Sequence, residues 1–287
     1  MIPIPNKIIY INTFYSFFSG KNTVENDPNS ICLPKRKIGF LKTHKCASST
    51  IQNILLRFVI KNNLNVVLPA KSNYLGVYFK RDGPHFDRKM MENTSWEHAG
   101  LEYDIFLCHT RWNHTSVSQV LNDHGEVFYF SILRDPVELF RSYWDYYKLS
   151  KIFERTLEEY IITVVYTEVK FKNKTEGSQG YNQMLTDFGL DFNEFFKGGV
   201  DKRNVEDRQI IETKIKEIDK KFSLILLADE EYFEDSIILL KNALCWQYGD
   251  VVSVKLNSQS SKPRSKLSSR SRTIVKGSQF RYIFLNM

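Results

Sequence analysis

The stretch from Ile38 to Phe58, IGFLKTHKCASSTIQNILLRF, constrains the fold of this chain more than any other. It opens with a short apolar run, Ile38-Gly39-Phe40-Leu41, whose length and flanks suit a buried strand. It closes with Ile51, Ile54, Leu55, Phe58 and Val59 at i, i+3, i+4, i+7 and i+8, one apolar helix face, with Gln52, Asn53 and Arg57 turned outward. Between them lies Lys42-Thr43-His44-Lys45-Cys46-Ala47-Ser48-Ser49-Thr50, in which Ser48 or Ser49 can cap the helix. A strand that turns through Lys, Ser and Thr into a helix N-terminus is an anion cradle, because backbone N–H groups and the helix dipole face the same point. Phosphate is the expected anion. The Walker pattern, G-x-x-x-x-G-K-[ST], is absent and two lysines precede the hydroxyl cluster, which points away from ATP toward another phosphorylated donor. The same residues would also serve an ordinary βα turn with a good cap.

Further strands are expected at Asn65–Pro69 (a short edge strand), Asp104–His109, Val127–Leu133 and Ser223–Ala228. Helical patterns separate them: weakly from Asp87 to Asn93, and more firmly over Val137–Tyr147, Tyr181–Phe188, Val205–Lys221 and about Glu230 to Leu244. Strands alternating with helices imply a mainly parallel sheet with right-handed crossovers. Two strands deliver chemistry to their carboxyl ends, the edge where ligands gather in such sheets. Asp104–His109 brings His109 and Arg111. Val127–Leu133 runs into Arg134-Asp135-Pro136, where Asp135 suits the N-cap and Pro136 the first helical position. Arg134 is then a fixed guanidinium beside a helix start, suited to a bidentate phosphate contact, with Ser142 further along the helix. An arginine there also serves a surface ion pair.

With 287 residues, 42% of them hydrophobic, the chain can bury a full core as one α/β domain. Residues 1–36 read as a leader or stem, since Gly20–Arg36 is polar and rich in turn formers, and the domain as 37–287. A formal net charge of +7 favours an anionic partner, whether nucleic acid, a membrane surface or an anionic donor. The four cysteines form no C-x-x-C pair and no zinc-like Cys/His spacing, so no structural metal is expected. Cys108 and Cys245 sit in apolar runs and read as buried or free thiols. The apolar run from Ile8 to Phe18 is too short to span a bilayer, which needs about 20 residues. Lys255–Arg272, rich in Ser, Lys and Arg, reads as a disordered basic loop.

Taken together, these segments resemble the galactose-3-O-sulfotransferase family. FLKTHKCASSTIQNILLRF is similar to its 5′-phosphosulfate loop, FYFSILRDPVELFRSYWDYY to its 3′-phosphate strand and helix, and FSLILLADEEYFEDSIILLKNALCW followed by VKLN to its third block. The resemblance implies a P-loop-like sulfotransferase fold, α/β with a mainly parallel sheet flanked by helices. It implies 3′-phosphoadenosine 5′-phosphosulfate as co-substrate, without metal. Lys42, Lys45, Cys46, Ala47, Ser48, Ser49 and Thr50 would surround the donor's 5′ end. Arg134 and Ser142 would take the 3′-phosphate, and Arg272 would add a further donor contact. The implied acceptor is the 3-hydroxyl of a terminal β-galactose on a glycolipid or glycan, handled in the Golgi lumen by a membrane-associated protein that needs no nucleic acid. Lys45 would stabilise the leaving oxygen. For the base, His109 matches the histidine after the second strand in related carbohydrate sulfotransferases, and His44 is its rival inside the loop. The family pattern holds through Gly277 and departs from about residue 278, which is expected to weaken donor binding and activity. Competing readings are a weak or inactive relative that only binds the nucleotide, a small-molecule kinase, which would need magnesium and a carboxylate to hold it, and a nucleic-acid binder with steep salt dependence.

Overall fold

Ile38, Phe40 and Leu41 are wholly buried, and the strand they form, β1 (Ile38–Leu41), lies at the centre of a parallel sheet. The computed structural model describes residues 32–69, 73–76, 83–91, 102–165, 183–191, 205–253 and 265–277. In chain order, β1 leads into α1 (Ser48–Asn62), β2 (Val66–Val67), a single 3₁₀ turn (Arg88–Met90) and β3 (Ile105–Phe106). Then come α2 (His114–Val120), β4 (Phe128–Leu133), α3 (Pro136–Tyr147), α4 (Leu149–Ile152) and α5 (Leu157–Tyr160) with a π-helical turn (Ile161–Val165). The remainder is α6 (Gln183–Asp187), α7 (Val205–Lys221), β5 (Leu224–Leu227), α8 (Phe233–Leu244), α9 (Tyr248–Val251) and α10 (Ser269–Gly277).

Among the described residues the strand order is β2-β3-β1-β4-β5, with every pairing parallel. From β1 the chain moves to β2 and β3 on one side, then crosses to β4 and β5 on the other. The switch in direction therefore falls between β1 and β4, whose register runs from Ile38 opposite Phe128 to Leu41 opposite Ser131. Close approach here needs Gly39, because a Cβ on it would collide with the ring of Tyr129 across the ladder. That ring is held by its hydroxyl, which donates to Asp123 Oδ2 at 2.9 Å.

Two apolar clusters hold the elements. The larger wraps the sheet and takes in Ile51, Ile54, Leu55 and Phe58 of α1, and Ile211, Ile215 and Ile218 of α7. The second gathers Val137, Phe140 and Trp144 of α3 with Leu149, Leu157, Tyr160, Ile161 and Val275. Tyr147, the last residue of α3, lies exposed, its ring 4.4 Å from that of Tyr143.

Several expectations need correction. The 104–109 run forms only two residues of ladder, after which His109 makes a single bridge to Tyr74. Cys245 is no free thiol: it is disulfide-bonded to Cys32, while Cys46 and Cys108 are free and buried. Residues just before β1 are held by the same region, since Lys35 N donates to Leu244 O at 2.9 Å and Trp246 Nε1 donates to Lys35 O at 3.1 Å. The basic tail is not loop throughout. From Ser269 it forms α10, with Ser268 Oγ accepting from Ser271 N at 3.1 Å as a cap and Val275 fully buried in the second cluster. Residues 254–264 and 278–287 lie outside the described residues, as do 172–180 and the N-terminal 31.

Candidate active site

At the carboxyl end of β1 the loop is clasped from both sides. Thr43 Oγ1 donates to Ile132 O on β4, Ser48 Oγ donates back to Thr43 O, and Ser131 Oγ donates to Leu41 O at 2.9 Å. The expected serine cap is therefore replaced. Ala47 occupies the N-cap position of α1 with φ 53°, without a side-chain cap, because Ser48 is spent on closing the loop. Lys45 is also left-handed, with φ 57°. A glycine-free loop that keeps two left-handed residues stores backbone strain, about 1–2 kcal/mol at each.

Of the cationic groups expected here, Lys45 and Arg134 lie against each other while Lys42 turns to Gln52. Lys42 is almost wholly buried and its Nζ donates to Gln52 Oε1 at 2.7 Å; burial pushes its pKa down to about 8. Lys45 is partly buried with Nζ 3.7 Å above the centre of the Tyr146 ring, and burial, then the neighbouring Arg134, push it down to about 8. Arg134, at the tip of β4, donates through Nη1 to Lys45 O at 3.1 Å. Its Nε is buried without a hydrogen-bond partner among the described residues. A buried guanidinium N–H left without an acceptor is costly unless an anion completes it. Asp135 caps α3 by accepting from Val137 N at 2.9 Å and Glu138 N at 3.2 Å, with Pro136 next, as expected.

The other expected residues are buried, partly buried or paired within the protein. The Cys46 side chain is buried, its Sγ donating to His44 O at 3.2 Å, and burial pushes the thiol up to about 12, so only its main chain could meet a ligand. Ser48 and Thr50 are buried, Ser49 partly so, and Ser142 is partly buried on α3. Arg272 on α10 pairs with Glu138 Oε1 at 3.1 Å, and Glu138 also holds Arg141.

The two histidines come together, ring centroids 4.2 Å apart and stacked, with Tyr74 stacked 5.0 Å beyond His109. His109 Nδ1 lies 2.8 Å from Lys42 O; a carbonyl only accepts, so Nδ1 carries the proton and Nε2 the lone pair. Burial first, then His44 and Lys42, hold the pKa of His109 well below the usual histidine value. His44 Nδ1 is 2.9 Å from Oδ1 of Asp187, which is fully buried, and His44 N donates to Asp187 Oδ2 at 2.8 Å. Sequence reasoning missed Asp187, Gln52 and Tyr146. Asp187 lies 143 positions from His44, so no local pattern links them. Among the described residues no cluster of three or more His, Cys, Asp or Glu side chains could hold a metal ion. Nor, among them, is any helix long and apolar enough to cross a membrane.

A parallel sheet with a strand–loop–helix turn at its switch point, and an arginine braced against that loop from the neighbouring strand, defines an α/β fold with a candidate anion cradle. A sequence profile described as "Galactose-3-O-sulfotransferase" matches residues 8–279, so the chain belongs to the galactose-3-O-sulfotransferase family. It is 35% identical over 250 residues to mouse galactose-3-O-sulfotransferase 2, covering 84% of this chain and 58% of the relative. It is 33% identical over 245 residues to the human protein of the same name, covering 83% and 55%. With human galactosylceramide sulfotransferase the identity is 29% over 240 residues, covering 83% and 52%. The chain thus spans a little over half the length of these relatives.

Proposed function

We propose that this chain is the catalytic core of a carbohydrate sulfotransferase that moves the sulfuryl group of 3′-phosphoadenosine 5′-phosphosulfate to the 3-hydroxyl of a terminal β-galactose. The observation that carries the reading is Arg134, which joins the Lys42–Thr50 loop at the sheet's switch point with a buried Nε that lacks an acceptor among the described residues. Family membership adds the sulfuryl group to what would otherwise be a general phosphate cradle.

In this reading the loop's backbone N–H groups and Lys45 hold the donor's 5′ end, and Arg134, with Ser142 further along α3, takes the 3′-phosphate. The sulfur–oxygen bond to the donor's 5′-phosphate breaks as a bond from galactose O3 to sulfur forms. Lys45 stabilises the charge that grows on the departing oxygen. The hydroxyl proton passes to a histidine of the stacked pair. His44 suits that task, because its Nδ1 lies 2.9 Å from the Asp187 carboxylate, which leaves Nε2 to take the proton. Lys42, tied to Gln52, sets the local potential from behind the loop. The Cys32–Cys245 disulfide fits an oxidising, secretory-pathway compartment such as the Golgi lumen.

The test is transfer from labelled donor to a panel of terminal galactosides with a metal chelator present. Label appearing on galactose O3 is the expected result. Binding of the product nucleotide without transfer would leave a nucleotide-binding relative instead.

A further inference from the structure

Asp187 is a fully buried carboxylate whose contacts converge on one loop residue. Its Oδ2 accepts the His44 main-chain N–H at 2.8 Å, and its Oδ1 accepts His44 Nδ1–H at 2.9 Å. From one helical turn earlier, Gln183 Nε2 donates to Oδ1 at 2.9 Å. The aspartate is itself fixed, because Trp112 N donates to its carbonyl oxygen at 2.9 Å at the end of α6. One group thus sets both the position of the loop backbone at His44 and the direction of the ring. With Nδ1–H committed to the carboxylate, the lone pair of His44 lies on Nε2. His109 Nδ1 is turned instead to the neutral carbonyl of Lys42, 2.8 Å away.

We infer that Asp187 is a positioning residue for sulfuryl transfer, acting through His44 by fixing its tautomer and ring direction and by compensating the charge the ring gains with the acceptor's proton. The inference rests on the reaction proposed above. The proton leaves galactose O3 for His44 Nε2 while the Nδ1 proton stays on the ring, hydrogen-bonded to Asp187, so Asp187 takes part in no bond exchange. A buried carboxylate on the far nitrogen of a base histidine favours the ring once it has taken the acceptor's proton.

The experiment compares the parent protein, Asp187→Asn, His44→Ala and the double variant. It measures turnover with labelled donor and a β-galactoside, and the Kd of 3′-phosphoadenosine 5′-phosphate by calorimetry. Asp187→Asn should lower kcat by about one to three powers of ten, a part of the two to four that a general base supplies. Nucleotide Kd should stay within about twofold, since the asparagine amide keeps an oxygen that can accept the His44 main-chain N–H and hold the loop in place. The double variant should be no slower than His44→Ala alone, because residues acting as a unit are not additive. A merely structural aspartate would lower nucleotide affinity and turnover together, and its loss would multiply with that of His44→Ala; either result overturns the inference, as does unchanged kcat. If Asp187→Asn does not fold, proton NMR of the parent decides: a strongly downfield Nδ1 proton lost in His44→Ala is required, and its absence overturns the inference. A parent protein that transfers no sulfuryl group overturns the proposed reaction and this inference together, an outcome distinct from an active parent with an indifferent Asp187→Asn.

Discussion

Arg134 donates from the tip of β4 to the carbonyl oxygen of Lys45, 3.1 Å away, so the arginine braces the loop with which it is expected to share a ligand. One Nη of the fork is used internally while the buried Nε keeps its donor for an anion.

Arg134→Ala should therefore weaken binding of 3′-phosphoadenosine 5′-phosphate by about 1.5–3 kcal/mol, the range for a hydrogen bond to a charged group. Arg134→Lys should recover only part of that, since a point charge cannot reproduce the fork. Calorimetric titration of both variants checks this, and an unchanged Kd in Arg134→Ala would remove the arginine from the site. Lys45→Ala should by contrast abolish turnover.

The lysines give a pH signature. Lys42 and Lys45 are pushed from 10.5 down to about 8, so both are charged below that pH and lose their protons as it rises. Nucleotide affinity should fall between about pH 7 and 9.5, and Lys45→Met should flatten the profile as well as lower it. Stability should move the other way. Between about 8 and 10.5 the unfolded chain binds more protons at these lysines than the folded one, so they make stability rise with pH. Cys46 and Cys108, pushed up from 9.0 to about 12, act oppositely from about 9 upward. The lysine contribution is therefore read as the difference between parent and Lys42→Met in urea unfolding across pH 8–9. No difference would contradict the cost of burying Lys42.

Ala47 tests the strain in the loop. Because it is exposed and left-handed at φ 53°, Ala47→Gly should stabilise the fold by up to about 1 kcal/mol, the relief of the Cβ clash less the entropy glycine adds to the unfolded chain. Ala47→Val should destabilise it by a similar or larger amount. Urea midpoints decide, and a rise with valine would refute the left-handed conformation.

Val275 tests the docking of α10. It is wholly buried against the cluster of Trp144, Tyr160 and Ile161, so Val275→Asp would place an unpaired charge there. The helix should come away, giving faster limited proteolysis at residues 265–277 while amide protection in the sheet is kept. Unchanged proteolysis would show that the contact does not hold the helix.

How far the sequence revealed this architecture depends on whether the signal was local. The strand at Val127–Leu133 and the Asp135-Pro136 helix start were legible because continuous apolar character, a cap and a proline sit side by side. The helix Val205–Lys221 was found with its observed bounds, since four isoleucines mark its inner face. Misreadings came where a distant partner decided. Ser48 has the chemistry of a cap, yet the carbonyl of Thr43 claims its hydroxyl. Cys245 looked like a core thiol because its partner lies 213 residues away. In α10, Ser271 and Val275 are a buried i, i+4 pair inside a run of charge, and nothing nearby in the sequence shows the Trp144 cluster they meet. Asp187 was hidden in the same way.

The Cys32–Cys245 bond closes a covalent ring that contains all five strands of the described sheet. Its mechanical consequence is a bypass: tension on the chain ahead of Cys32 passes through sulfur to the end of α8, without loading β1 or the loop that follows it. Lys35 and Trp246 stiffen that junction through their two hydrogen bonds. Reduction would reroute the same force through Lys37 and Ile38 into the central strand, so the bond acts as a strain relief for the site at that strand's end.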